Sequence, residues 1–442
     1  MLGEINSAIS AFVWGAPMLA VFLGTGFFLS AKTRFFQIFG IKKWFGTTLF
    51  AVADKENRKI SEKGAVSQFG ALTSALAACL GTGNIIGVAT ALCSGGPGAV
   101  FWMWISAVLG MMTCCCENIL GIKYRVRNAQ GNWAGGPMYY IERGLGMKGL
   151  AGTYAVLLTG ASLGMGNMTQ SNSVAAGLSD MGVPPVVAAV TVCVPLAVAI
   201  TGGLERISSL TQKLIPVLSI AFIVACFIVI GANLNALIPA IKLIIKEAFT
   251  VKAVSGFGMA KAVRYGVSRG VFSNEAGLGS SAVIHSCADC DSPAKQGMWG
   301  IVEVFIDTVF MCSVTAAAIL VSGVWSPATK LNGVELCSAV FESVMGRAGG
   351  IFLNVCICLF AFSTLVAWSY YGKSGTEYLF GAKGGKIYNV IYIAAAFAGC
   401  LIKLEAVWTV SDTLNGLMAI PNLFALWTLS KEATGEINRR DF

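Results

Sequence analysis

Charge is scarce in this chain. Only 12% of its 442 residues are charged, against roughly 25% in a soluble domain. That excludes an ordinary water-soluble globular protein. Histidine is nearly absent: His285 is the only one, which argues against haem or a His-rich metal site. The 14 cysteines form no extracellular cysteine framework. Cys114, Cys115 and Cys116 are consecutive in an apolar run and read as small packing residues. No GxxxxGK[ST] loop occurs, so no nucleotide fuels the protein. No cleavable signal peptide is expected. The first apolar stretch, 11–31, is about long enough to span a bilayer, and Lys32, Arg34, Lys42 and Lys43 follow it as a stop signal.

Hydrophobic residues make up 56% of the chain, and mean hydropathy is +0.73. This composition predicts an all-α polytopic membrane protein. Eleven spans are expected, near 12–31, 68–92, 97–120, 151–178, 184–201, 213–232, 259–285, 297–322, 350–372, 387–402 and 409–430. The net charge of +9 raises the question of nucleic acid, but the basic residues are placed by topology. With the N-terminus outside, the inner loops and tail carry 21 Lys and Arg and the outer segments 6. The positive-inside rule therefore sets the N-terminus out and the C-terminus in, with the lipid bilayer as partner and no nucleic acid.

Ten spans remain once the first is set aside, and they divide five plus five. Five is odd, so the halves enter the membrane from opposite sides, as an inverted repeat does. Gly81 and Ser273 are 192 residues apart, and Gln170 and Thr364 are 194 apart, consistent with such a repeat. The expected organisation is a first span with its basic linker (1–67), one five-helix repeat (68–232), an outer connector (233–258), a second repeat (259–430) and a tail (431–442). Two pieces do not span: a short interfacial helix at 138–145, after Gly135-Gly136-Pro137, and an amphipathic helix at 237–253.

Two apolar segments are broken in the middle. Segment 71–92 is interrupted at Gly81-Thr82-Gly83-Asn84, and segment 259–285 around Phe272-Ser273-Asn274-Glu275-Ala276-Gly277. Hydrocarbon does not tolerate unpaired backbone unless that backbone lines a site, and a matched pair of broken helices points to a transporter binding site. A zwitterion there needs partners for both charges. The N–H groups of Thr82, Gly83 and Asn84 would face a carboxylate, and the carbonyls of Phe272 and Ser273 an ammonium. Glycine-mediated helix packing is the alternative at the first break, and lipid exposure is the alternative for Phe272. Asn167 and Gln170 lie three apart and share a helix face; they contact substrate or bond a neighbouring helix. Ser363 and Thr364, with Trp368 one turn on, offer oxygens for a cation or simply back-bond their own helix. Arg264, Arg269, Glu275, Glu303, Asp307 and Asp412 are ionisable groups in or near spans. Arg269 and Asp412 are the candidate outer gate; separate local pairs are the alternative.

Several motifs resemble those of the alanine/glycine:cation symporters, also called sodium:alanine symporters. They are the run Gly95-Gly96-Pro97-Gly98-Ala99-Val100-Phe101-Trp102-Met103-Trp104 with the following residues to Gly110, then Gly81-Thr82-Gly83-Asn84-Ile85, Gly135-Gly136-Pro137-Met138-Tyr139-Tyr140, Arg269 through Gly277, and Met418-Ala419-Ile420-Pro421-Asn422. The resemblance covers nearly the whole chain. It implies a leucine-transporter-type fold of the amino acid/polyamine/cation superfamily, with Na⁺-coupled uptake of alanine or glycine by alternating access. It also implies a substrate site at Thr82, Gly83, Asn84, Asn167, Gln170, Phe272, Thr364 and Trp368. A sodium site would use carbonyls near Ala77 and Leu80, with Phe360, Ser363 and Thr364. Trp368 and Phe272 facing one cavity would leave room for little more than a methyl side chain.

The expected protein is thus a Na⁺ symporter for small neutral amino acids in a cell (inner) membrane, and not an enzyme. An H⁺-coupled carrier of another solute, using Glu275, is the nearest alternative. A channel fits an internal inverted repeat less well, and a membrane enzyme would have to start from the lone His285.

Overall fold

The computed structural model describes residues 2–53, 60, 62–180, 182–250, 258–402 and 405–439. They are almost entirely helical; the one sheet among them is a two-stranded hairpin, Val126–Arg127 against Trp133–Ala134. Among the described residues, five helices are long and apolar enough to cross a membrane: Asn6–Lys32, Gly98–Lys123, Gly203–Ala232, Pro293–Val321 and Arg347–Leu401. Shorter apolar helices, including Gln68–Cys79, Ile86–Gly95 and Pro185–Thr201, lie between them.

Exposed side chains show which faces meet lipid. On Pro185–Thr201, Val186, Val190, Val194 and Val198 recur every fourth residue, each about half exposed. Valines and isoleucines line Gly203–Ala232 in the same way, with Val217 at 68%. Such a stripe, facing outward, matches hydrocarbon rather than water. Inside, small residues let helices approach. In the helix Met259–Asn274, Gly266 and Gly270 face Gly98–Lys123. A Cβ on Gly266 would stand 2.3 Å from the Ala99 carbonyl, and one on Gly270 2.4 Å from Ser106 Oγ. This is small-xxx-small packing, where close backbones supply the attraction that lipid cannot. Cys114, Cys115 and Cys116 are fully buried further along Gly98–Lys123, where Gly297 and Gly300 of the helix Pro293–Val321 lie against Cys115 and Cys114, and all 14 cysteines are free thiols.

Both predicted breaks are present, one of them displaced. The first separates Gln68–Cys79 from Ile86–Gly95, with a single tight turn at Thr82–Asn84. The second separates Met259–Asn274 from Ser280–His285. Phe272 and Ser273, expected within the break, form the last helical turn instead. The chain leaves the helix at Glu275 (φ 56°), and Gly277 (φ 95°) and Gly279 (φ 80°) hold the positive φ that opens it.

Other boundaries also differ. The stretch Asn6–Lys32 turns at Trp14–Gly15, between the helices Leu2–Val13 and Ala16–Lys32, and the first of these takes up residues expected to precede the span as a plain segment. The outer loop 323–349 contains a helix, Gly333–Met345, in which Leu336, Cys337, Val340 and Phe341 are buried. The spans at 350–372 and 387–402 are two helices within Arg347–Leu401 that meet directly at a kink at Gly381 (φ 70°), so the inner loop expected between them is itself helical. Helices are present at both positions expected for non-spanning pieces, Pro137–Leu145, with Met138, Tyr140 and Ile141 buried, and Leu237–Ala248. The expected remainder of the second, 251–253, lies outside the described residues.

Candidate functional site

The breaks release backbone groups toward each other. In the first, the Gly81 N–H turns back to the Cys79 carbonyl (2.8 Å) instead of reaching Ala77. The Ala77 carbonyl accepts the Thr364 hydroxyl instead (3.0 Å). Thr364 Oγ1 also lies 3.1 Å from the Phe360 carbonyl, and Ser363 Oγ 2.8 Å from the same oxygen. Ala77, Phe360, Ser363 and Thr364 are thus drawn into one cluster of oxygens, fully buried. Leu80 ends the half-helix beside it, its N–H bonded to Leu76 (2.6 Å). Gly81 fits because a Cβ there would stand 2.6 Å from Thr364 Oγ1. Hard oxygens without nitrogen or sulfur suit a hard monovalent cation.

In the second break, the Ala276 N–H goes to Asn274 Oδ1 (3.0 Å) and the Gly277 N–H to Glu117 Oε1 (3.0 Å). A continued helix would send those donors to Phe272 and Ser273. Those carbonyls therefore lose their intrahelical donors. Asn84 spans the two breaks: its Nδ2 lies 3.1 Å from Ser273 Oγ and 2.7 Å from Asp307 Oδ1. Thr82 is buried beside it, and Gly83 faces Ser273 with room for ordinary contact.

Trp368 forms one wall. Its indole N–H donates to Glu275 Oε1 (3.2 Å), and its own carbonyl accepts the Ser162 hydroxyl (2.6 Å). Gly166 lies against its Cβ: a methyl there would stand 2.4 Å away. Asn167 and Gln170 are buried near this wall, but their amide N–H groups bond protein, to the Tyr392 carbonyl (2.7 Å) and the Met165 carbonyl (3.2 Å). Both amide oxygens are buried without a partner. Asn167 sits in a π-helical turn, Gly164–Met168, and Asp307 in another, Phe305–Cys312. Such turns are frequent at functional sites because they re-aim side chains.

Reading the sequence missed Glu117, Gly166 and Ser162 as site residues, and left the roles of Glu303 and His285 open. Glu303 accepts from Ser281 Oγ (2.6 Å) and from His285 Nε2 (3.1 Å), and Cys79 Sγ is 3.4 Å away. Glu117 also takes Asn422 Nδ2 at 2.5 Å, and Asn422 in turn bonds Tyr140. The clue for Glu117 was available: a lone acid closing a charge-free run from Lys63. Arg269 and Asp412, the candidate gate, do not form an ion pair among the described residues. Arg269 instead lies over the Phe272 ring, 5.6 Å from its centre, and both charged groups border a cavity of about 300 Å³. Phe272 is therefore half-buried under a guanidinium, not a free lipid-facing ring.

At the other end of the broken helices, backbone pairing ties the two segments together. Val66, just before the first, bridges the strand-like segment after the second: its N–H bonds the Cys287 carbonyl (3.0 Å), and its carbonyl takes the Asp289 N–H (2.7 Å). Arg125 holds the Ser286 and Ala288 carbonyls (3.2 and 2.6 Å), and Trp133 lies between Arg125 and Arg127.

A family model described as the sodium:alanine symporter family matches residues 1–441. The chain belongs to that family. It is 39% identical to the sodium/alanine symporter AgcS of Methanococcus maripaludis, over 98% of this chain and 96% of that one. It is 40% identical to an uncharacterized transporter of Haemophilus influenzae, over 97% and 94%. It is 35% identical to the amino-acid carrier protein AlsT of Bacillus subtilis, over 96% and 89%. Among solved structures it is similar to MhsT in complex with L-phenylalanine (TM-score 0.59, 13% identity, 86% and 94% covered). It is also similar to a manganese transporter of Eremococcus coleocola (TM-score 0.55, 14% identity, 86% and 82% covered). At those identities the likeness concerns the fold alone, which is of the leucine-transporter type. The protein is a multi-pass membrane transporter, not an enzyme.

Proposed function

We propose that this protein is a secondary active symporter that couples inward Na⁺ flow to uptake of alanine or glycine by alternating access. The carrying observation is the Thr364 hydroxyl held between the Ala77 and Phe360 carbonyls, at 3.0 and 3.1 Å. In this reading Na⁺ enters that oxygen cluster, completed by Leu80 and Ser363. The substrate carboxylate meets the N–H groups of Thr82, Gly83 and Asn84, and the ammonium meets the Phe272 and Ser273 carbonyls. Asn167 and Gln170 turn their unpartnered amide oxygens to the substrate, and Thr364 lies between substrate and ion. Trp368 limits the side chain to about a methyl. Both ligands favour the occluded state, which couples them.

The reading includes eleven spans in a 5+5 inverted repeat behind one extra helix, with the N-terminus out, the C-terminus in and residence in the cell membrane. The 1–67, 68–232, 233–258, 259–430 and 431–442 divisions follow from it. Arg269 and Asp412 close over occupied substrate on the outer side. The Val66–Cys287 bridge then seals the inner side.

The test is uptake of labelled alanine into liposomes under an inward Na⁺ gradient, against the same gradient of K⁺ or H⁺. Accumulation with Na⁺ alone, competed by glycine, supports the reading; none with Na⁺ refutes it. Accumulation with H⁺ alone favours proton coupling. That second reading rests on four buried carboxyl groups, Glu117, Glu275, Glu303 and Asp307, with His285 as the one basic side chain bonded to them among the described residues.

A further inference from the structure

The pairing beside Val66 holds a motif that transport does not use. Cys287-Ala288-Asp289-Cys290 is the one place in the chain where two cysteines stand three apart. Both are free thiols. Cys287 is buried, with Sγ 3.1 Å from the Trp133 carbonyl and 3.1 Å from the Tyr370 hydroxyl. Cys290 is partly exposed. Arg125 grips the carbonyls of Ser286 and Ala288, on either side of Cys287. Burial pushes both thiols up to about 11, against the Tyr370 hydroxyl at Cys287 and the Arg125 charge at both.

The bridge and a Cys287–Cys290 bond exclude each other. Residues 288–290 run extended, because Val66 takes the Asp289 N–H on its carbonyl (2.7 Å) and gives its own N–H to the Cys287 carbonyl (3.0 Å). An extended run holds Cα atoms three residues apart at about 10 Å, whereas a disulfide needs about 4.4–6.8 Å. Closing the bond would curl 287–290 into a turn and withdraw Cys287 and Asp289 from Val66. A partly exposed cysteine with a second thiol three residues away is the arrangement of a redox sensor. The exposed sulfur reacts first and the buried one resolves it. Disulfides facing a reducing compartment are usually of this transient kind.

We propose that Cys287 and Cys290 are a thiol–disulfide modification site whose oxidation unlatches the paired ends of the two broken helices. The oxidant is a small-molecule disulfide such as glutathione disulfide. The Cys290 thiolate attacks one of its sulfurs, the S–S bond breaks, and one glutathione leaves. The Cys287 thiolate then attacks Cys290 Sγ in the mixed disulfide, and the second glutathione leaves. Two cysteine thiols are oxidised to one disulfide, one glutathione disulfide is reduced to two thiols, and the two hydrogens pass to the departing glutathiones. With the bridge broken, the state closed at this end loses population. Fewer carriers then present their site outside, and apparent affinity for alanine falls. That consequence rests on the alternating-access reading with this end inside; the thiol chemistry stands without it.

The test treats full-length protein in lipid nanodiscs with glutathione disulfide and reads it by mass spectrometry. The wild-type peptide holding both cysteines is expected to lose two hydrogens. Peptides carrying the Val66 and Asp289 N–H groups should exchange with deuterium about tenfold faster or more, and dithiothreitol should reverse both changes. Cys287→Ser should stop at the glutathione adduct on Cys290, and Cys290→Ser should form no disulfide. In liposomes made from the oxidised wild type, alanine KM should rise about five- to tenfold, for two bonds lost. Cys290→Ser should keep one KM with and without oxidant, within about twofold of reduced wild type. Wild type that forms no disulfide or stops at the adduct overturns the proposal, as does a disulfide that leaves amide exchange or alanine KM unchanged. A disulfide that frees both amides in a protein that takes up no alanine supports the site and refutes the alanine assignment.

Discussion

Replacing Thr364 by valine removes one oxygen and almost no volume, so it tests the ion site with little disturbance of packing. Without the ion, the Thr364 hydroxyl donates to the Ala77 carbonyl at 3.0 Å. A hydrogen bond between membrane helices averages about 0.6 kcal/mol. With the ion bound, the same oxygen becomes a ligand, and an interaction with a charged group is worth about 1.5–3 kcal/mol. The difference, about 1–2.5 kcal/mol, corresponds to about a 5- to 70-fold higher Na⁺ concentration for half-maximal uptake. The assay is the initial rate of alanine uptake against Na⁺, with choline holding ionic strength constant. Thr376→Val is the control. That hydroxyl also back-bonds its helix, to Gly372 at 2.9 Å, but bonds no residue of the ion cluster. An unchanged Na⁺ dependence in Thr364→Val, or an equal shift in the control, would refute the assignment.

Gly166→Ala places a methyl 2.4 Å from the Trp368 Cβ; overpacking of this kind costs about 1–3 kcal/mol. Uptake should collapse in protein that still purifies as a monodisperse species, whereas Gly152→Ala, which faces open space, should leave the rate unchanged. Glu117→Leu strands the Gly277 N–H and one of the two Asn422 amide N–H bonds, 3.0 and 2.5 Å from the carboxylate, the other remaining on the Gly277 carbonyl (2.9 Å). Each orphaned donor costs about 1–3 kcal/mol, so thermal melting in detergent should fall, and fall less for Glu117→Gln. Near the C-terminal end, Lys123 (2.7 Å), and secondarily the Tyr124 hydroxyl (2.8 Å), hold the Glu432 carboxyl below its ordinary range. A depressed carboxyl contributes docking energy above its unfolded value and loses it as pH falls through the folded one. Protection of Ser430–Asn438 from pepsin should therefore weaken on acidification in wild type and vary little in Glu432→Gln.

The broken helices were legible because glycine and polar runs inside apolar segments have few other meanings in a membrane. Thr364 and Ala77 were placed at one ion site by resemblance to a family, since nothing local in either residue indicates the other. The second break was legible in kind but not in position. Phe272, Ser273 and Asn274 have the same composition inside a helix as outside it. What displaces the break is the positive φ at Glu275, Gly277 and Gly279, together with Glu117 taking the Gly277 N–H from another helix. Glu303 and His285 could be named as ionisable but not paired, because their bond depends on how two helices pack. The Arg269–Asp412 gate was expected from two charges near one membrane face, and both border one cavity without an ion pair between them among the described residues.

Composition, the two interruptions and the distribution of lysine and arginine by themselves determined a polytopic helical protein with a backbone-lined centre. Those properties follow from transfer energies and local backbone chemistry, which act residue by residue. Tertiary structure alone decided which freed carbonyl meets which hydroxyl, where Trp368 lies against Gly166, and that Val66 bridges the segment holding Cys287 and Cys290. Those outcomes depend on distances of a few ångströms between segments far apart in the chain, and no local pattern encodes them.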